Sequence, residues 1–134
     1  MNIHPLVAIV TLLALLVYFY MGMRVGRARG KYNVVAPAVT GAPEFERAYR
    51  VQMNTLEWLP LFLVSMWIFA LSWDERVAAG VGLVWILARY YYMASYSKDA
   101  ASRGPGFGIQ ALATGVLLFG ALGRLIYLAT QGGV

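Results

Sequence analysis

Arg47, Arg50, Asn54 and Glu57 lie three, four and three residues apart. At 3.6 residues per turn, that spacing sets two guanidinium forks, an amide and a carboxylate along one stripe of a helix. A second stripe, Arg89, Tyr92 and Tyr96, repeats the three-and-four spacing with another guanidinium and two phenols. Arg103 would extend it, were Gly104-Pro105 not set to break the helix. Guanidinium groups hold carboxylates in bidentate geometry, and a carboxylate holds an amine. This mixture fits a small zwitterionic ligand with several carboxylates better than a cation or an apolar drug. A structural alternative stays open, in which Glu57 pairs with Arg89 or Arg50 and only ties helices together. Tyr90, Tyr91, Tyr92 and Tyr96 also suit an interfacial aromatic belt, although three consecutive residues cannot share one face.

Other chemistry is poorly supplied. The chain has no cysteine, which excludes disulfides, thiolate metal sites and a cysteine nucleophile. Its one histidine, His4, sits at the extreme N-terminus, too isolated to found a metal site or a triad. The net charge of +5 comes from basic residues that flank apolar runs, a placement that membrane topology explains without nucleic acid.

The elements that must position these groups are membrane helices. Of 134 residues, 60% are hydrophobic and 13% charged, and the mean hydropathy is +0.63. A soluble domain has roughly 45–50% apolar and about 25% charged residues. Crossing a bilayer takes about 20 helical residues, so four helices consume nearly the whole chain. The fold class is therefore all-α: one four-helix transmembrane domain over residues 1–134, with helices near 5–31, 43–72, 77–97 and 106–130.

Pro5 to Met23 is uncharged, longer than a signal-peptide core and not preceded by a basic start, so it is expected to be retained. Gly22, Gly26 and Gly30 give its end one smooth face, read as a packing surface. Residues 33–43 form an ordered loop, and Pro43, Glu44 and Glu46 suit the first turn of the second helix. Pro60 is expected to bend that helix. Residues 72–76 and 98–105 are short polar connections.

One end of the bundle holds Arg24, Arg27, Arg29, Lys31, Arg47, Arg50, Lys98 and Arg103; the other holds only Arg76 and Arg124. The positive-inside rule puts the first end in the cytoplasm and both termini outside it.

The run from Phe45 to Pro60, FERAYRVQMNTLEWLP, completes the pattern F-E-R-x-x-R-x-x-x-N-x-x-E-x-x-P. It resembles the signature of the MAPEG family, the membrane-associated proteins of eicosanoid and glutathione metabolism. The resemblance spans the chain, through Ala88-Arg89 and Tyr92-x-x-x-Tyr96 to Arg103, and is nearest the branch of microsomal glutathione transferases and cysteinyl-leukotriene synthase.

It implies a homotrimer of four-helix subunits that binds glutathione as co-substrate between neighbours near the cytoplasmic face. By position, Arg50, Asn54 and Glu57, with Gln52 nearby, match glutathione ligands, as do Tyr92 and Tyr96. Arg29 matches an arginine reaching in from the adjacent subunit, and Arg103 one placed beside the sulfur. The leukotriene synthase has two consecutive arginines where this chain has Arg29-Gly30, and Trp58 replaces the tyrosine or phenylalanine of relatives. The resemblance thus implies glutathione binding without leukotriene synthesis.

The expected activity is conjugation of glutathione to hydrophobic electrophiles, with lipid-hydroperoxide peroxidase activity as a further possibility. The alternative is a non-catalytic scaffold or lipid-binding protein of the same fold, such as the lipoxygenase-activating protein. That relative departs from the arginine pattern, whereas Arg47 and Arg50 are both present here. A small multidrug transporter is disfavoured, because its essential glutamate belongs in a first helix that here carries no acid.

Overall fold

A computed structural model describes residues 3–132. Four α-helices follow in order: α1 (Pro5–Tyr32), α2 (Pro43–Ser72), α3 (Glu75–Lys98) and α4 (Gly104–Thr130), with a short 3-10 turn, Ala100–Arg103, before the last. All four are long and apolar enough to cross a membrane, and the protein is an integral, multi-pass helical bundle.

Local chemistry sets the ends. Pro5 and Pro43 open α1 and α2, where a missing N–H costs nothing. Asn33 closes α1 in the left-handed conformation that asparagine tolerates. Two expected boundaries shift. Helix α3 begins at Glu75 instead of 77, because Asp74 Oδ1 accepts the backbone N–H groups of Arg76 and Val77 at 2.6 and 3.2 Å. Helix α4 begins at Gly104 instead of 106: Pro105 lies in its first turn, where proline is welcome. Helix α2 runs unbroken through the exposed Pro60.

Away from the basic end, the bundle is held by apolar packing. Val7, Val10, Ala14, Phe62, Met66, Trp85 and Leu117 are all buried in one cluster drawn from the four helices. Phe62 and Trp85 stack face to face, with ring centroids 4.1 Å apart. Fully burying side chains of this size stabilises by about 1.5–3 kcal/mol each. The opposite faces carry leucine, isoleucine and phenylalanine exposed from the bundle, as lipid contact requires.

The glycine face of α1 divides. A Cβ at Gly22 would lie 3.2 Å from Gln52 Nε2, so Gly22 packs within the subunit; Gly26 and Gly30 have nothing within 4 Å. Packing inside the subunit therefore accounts for one of the three glycines.

Candidate functional site

At the basic end, the first half of α2 and the last half of α3 part around a cavity of about 710 Å³. Arg50, Asn54 and Glu57 reach it from α2, Tyr92 and Tyr96 from α3, and Arg103 from the 3-10 turn. Six of the eight residues that the resemblance assigns to the site thus share one cavity.

The turn explains how Arg103 arrives. Helix α3 stops at Lys98, Asp99 adopts an extended conformation, and its carboxylate accepts the Ala101 N–H at 3.1 Å. The chain then folds back, and Arg103 donates from Nη1 to the Ala100 carbonyl at 3.0 Å. Its guanidinium stands 5.8 Å from the centre of the Tyr96 ring. Tyr96 in turn packs on Tyr92, ring to ring at 5.6 Å. The tyrosines separate as face geometry requires: Tyr90 and Tyr91 are exposed, whereas Tyr92 is buried.

Arg47, Gln52 and Arg29 do not line this cavity, for reasons of geometry. The α2 residues around it are Glu46, Tyr49, Arg50, Met53, Asn54 and Glu57, a face near Glu46 and Met53. Each residue advances a helix by about 100°, so Arg47 sits about a quarter-turn off that face, and Gln52 about a third of a turn off it in the opposite sense. Gln52 instead borders a crevice of about 390 Å³ with Leu15, Tyr18, Phe19, Gly22 and Met23 of α1. Arg29 is engaged in its own subunit's loop: Nη1 donates to the Ala38 carbonyl at 2.7 Å, and the guanidinium lies 4.9 Å from the Phe45 ring. Trp58 points into the core and meets Phe107 edge-on at 5.5 Å.

Glu46, Tyr49, Met53, Val39 and Thr40 were not singled out from the sequence, yet they line the cavity. The first three were recoverable, since they share the helical face of Arg50 and Glu57. Val39 and Thr40 come from the loop, which carries no such period. Glu46 ties that loop down: its Oε2 accepts the Gly41 N–H at 3.1 Å.

Arg89 lies behind the cavity wall and is fully buried. The ion pair that spacing allowed with Glu57 does not form among the described residues. Arg89 Nη1 donates instead to Asn54 Oδ1 at 2.7 Å and, more weakly, to Thr55 Oγ1 at 3.4 Å. The Trp85, Tyr92 and Phe107 rings surround its guanidinium at 5.6, 4.9 and 6.0 Å. Helix α4 comes very close here: a Cβ at Gly106 would lie 2.8 Å from the Tyr92 nitrogen and 3.0 Å from the Ala88 carbonyl oxygen. Only glycine allows that approach.

The cavity can therefore offer cationic forks for carboxylates, a carboxylate for an ammonium, and phenols. Its volume falls within the roughly 300–1,000 Å³ usual for small-molecule sites. Four apolar helices with such a cavity define a class: integral membrane bundles with a polar cavity at one end.

Comparison with known proteins gives the family. The chain belongs to the MAPEG family, whose sequence model matches residues 7–123. It is similar to human microsomal glutathione S-transferase 2, with 43% identity over 122 residues, 88% of this chain and 81% of that protein. Bovine leukotriene C4 synthase is 40% identical over 123 residues, covering 91% of this chain and 82% of the synthase. An uncharacterized protein of Synechocystis is 43% identical over 124 residues, 92% of this chain and 90% of its own length.

Proposed function

We propose that the protein is a membrane-bound glutathione-dependent transferase. One observation carries the reading: Arg50, Asn54, Glu57, Tyr92, Tyr96 and Arg103 converge from three elements on one cavity. Glutathione presents two carboxylates, an ammonium, two amides and a thiol. Arg50 is suited to a carboxylate, Glu57 to the ammonium, and the name of one relative, microsomal glutathione S-transferase 2, points to the same co-substrate.

The chemistry asked of the site is modest. A free thiol with a pKa near 8.5 is only a few per cent thiolate at pH 7, and the thiolate is the nucleophile. A cation at close range lowers such a pKa by about 1–3 units. Arg103, on the short turn above Tyr96, is the cation assigned to that task. The thiol proton passes to water and the sulfur forms a bond to the electrophilic carbon; a displaced halide leaves as the anion, whereas an opened epoxide oxygen takes up a proton. A hydrophobic electrophile partitions into the bilayer, so the lipid supplies one substrate and the aqueous phase the other.

Arg29 and Gln52 enter through assembly. Both lie off their own subunit's cavity, Gln52 on the α1–α2 surface. That placement, with the open faces of Gly26 and Gly30, supports a homotrimer in which these side chains serve a neighbour's cavity. The excess of basic residues at the cavity end supports a cytoplasmic site with both termini on the other side.

The test is conjugation. Protein in mixed micelles with a hydrophobic epoxide or aryl halide should show a saturable, glutathione-dependent rate, and free cysteine should not replace glutathione. A rate equal to that of micelles alone would leave only the non-catalytic reading.

A further inference from the structure

Among the described residues lining the cavity, Asn54 is the one side-chain amide, and such an amide can recognise either a donor or an acceptor. Which it does depends on which of its two ends faces the ligand. Here the choice is fixed from behind. Arg89 carries donors only, so the atom it contacts at 2.7 Å must be the Asn54 oxygen. The Asn54 nitrogen is then the end of the amide left for the cavity that Asn54 lines. No protein acceptor takes its hydrogens among the described residues.

Arg89 is well placed to hold that orientation. It is exposed to neither water nor lipid, with 0% of its surface accessible. Rings enclose it on three sides, and Thr55, itself buried, accepts from the same nitrogen. A buried guanidinium cannot give up its contact to water, and a rotated Asn54 would set NH₂ against a guanidinium nitrogen. The wrong orientation leaves a buried cation without that acceptor, an arrangement proteins strongly disfavour. Nor does any carboxylate pair with Arg89 among the described residues, and its Nε and Nη2 have no partner. Among the described residues, rings and oxygen acceptors face this charge but no carboxylate does.

We propose that Arg89 is the positioning residue of this cavity: by holding the Asn54 oxygen it turns the amide NH₂ outward, so that position 54 recognises a ligand oxygen and rejects an ammonium. With Glu57 able only to accept, the α2 wall has a fixed polarity, reading oxygen at 54 and ammonium at 57, one turn apart. The ligand oxygen is a carboxylate or amide carbonyl, and the unpaired charge behind it favours the carboxylate. This rests on the reading of the cavity as a glutathione site.

Two variants separate the inference from that reading. Asn54→Asp keeps an oxygen acceptor for Arg89 and removes the outward NH₂. It should unfold at a temperature no lower than the parent, yet bind glutathione about 10–100-fold more weakly, the loss of one hydrogen bond to a charged group. Arg89→Met, which removes every donor, should weaken binding about tenfold in molecules that still fold, with partial rescue by Arg89→Lys, which keeps a donor. Calorimetric titration with glutathione reads affinity, and thermal unfolding reads stability. Parent-like affinity in Asn54→Asp would overturn the inference and leave the glutathione site standing. Parent-like affinity in folded Arg89→Met would do the same. If Arg89→Met does not fold, Asn54→Asp decides alone. Absence of binding by the parent itself would overturn the glutathione reading, and this inference with it.

Discussion

Phe62 and Trp85 stack within 4.1 Å in a cluster where apolar side chains from four helices close on one another. Two turns back along α2 and one turn on along α3, Asn54 and Arg89 meet in a hydrogen bond beside an open cavity. The same two helices thus build opposite environments over a short distance. The packed region completes itself. The polar region does not: Arg50 and Glu57 form no ion pair among the described residues, and a buried guanidinium keeps two nitrogens unpartnered. Proteins depart from full satisfaction mainly where something else must bind. The packed region fixes how α2 and α3 sit; the polar region uses that fixed separation to hold a ligand.

The comparison breaks most readily at Phe62. Phe62→Ala should destabilise the fold by about 3–5 kcal/mol, since the stack on Trp85 cannot collapse over the lost ring. Glutathione affinity per folded molecule should stay near that of the parent. Unfolding in mixed micelles, read by circular dichroism, measures the first, and titration of the folded fraction the second. A loss of affinity equal to the loss of stability would mean that the two regions are not separable.

Arg50→Ala should do the reverse. Removing the partner of a desolvated ligand carboxylate costs about 2–5 kcal/mol of binding. Arg50 is exposed in the subunit, so stability should change little. Unchanged affinity in a folded Arg50→Ala protein would reduce the polar stripe to surface charge.

Much of this contrast was legible in the sequence. Hydrophobic runs gave four helices, and the three-and-four spacing put Arg50, Asn54 and Glu57 on one face. The resemblance set Gln52 near these ligands, and the helix turns it off their face to the crevice between α1 and α2, a placement that spacing alone reports. The capping of α3 by Asp74 was missed because a single aspartate before a charged residue looks like any polar turn. Arg103 was expected beyond a broken helix; the 3-10 turn that delivers it depends on the Asp99 cap. Arg89 appeared as one more member of a stripe. Its bond to Asn54 crosses between helices, and no spacing within one helix reports it.

Arg103→Ala sharpens the polar side further. Binding should remain mostly intact while the pKa of the bound thiol rises by about 1–3 units. Conjugation at neutral pH should fall, then partly recover at higher pH as hydroxide restores the thiolate. Arg103→Lys should rescue in part, keeping the charge and losing the fork. An unchanged rate–pH profile would transfer the role to Tyr92 or Tyr96.

The smallest effect is expected at Gly26. In an isolated subunit an added methyl meets nothing, and Gly26→Ala would stabilise α1 by about 0.5–1 kcal/mol. In the proposed homotrimer the methyl instead presses on a neighbour, so Gly26→Ala should loosen the assembly, and native mass spectrometry in mild detergent should show subunits separating. A monomeric parent would remove Arg29 and Gln52 from any shared site.

The central claim is that the cavity at the basic end binds glutathione and holds its sulfur as thiolate. Titrating the purified, detergent-solubilised parent with glutathione, while following heat and thiolate absorbance together, tests it most directly. The account predicts saturable heat with thiolate absorbance rising in step at neutral pH, and loss of the absorbance but not the heat in Arg103→Ala. Absence of heat and absorbance in the folded parent would contradict it.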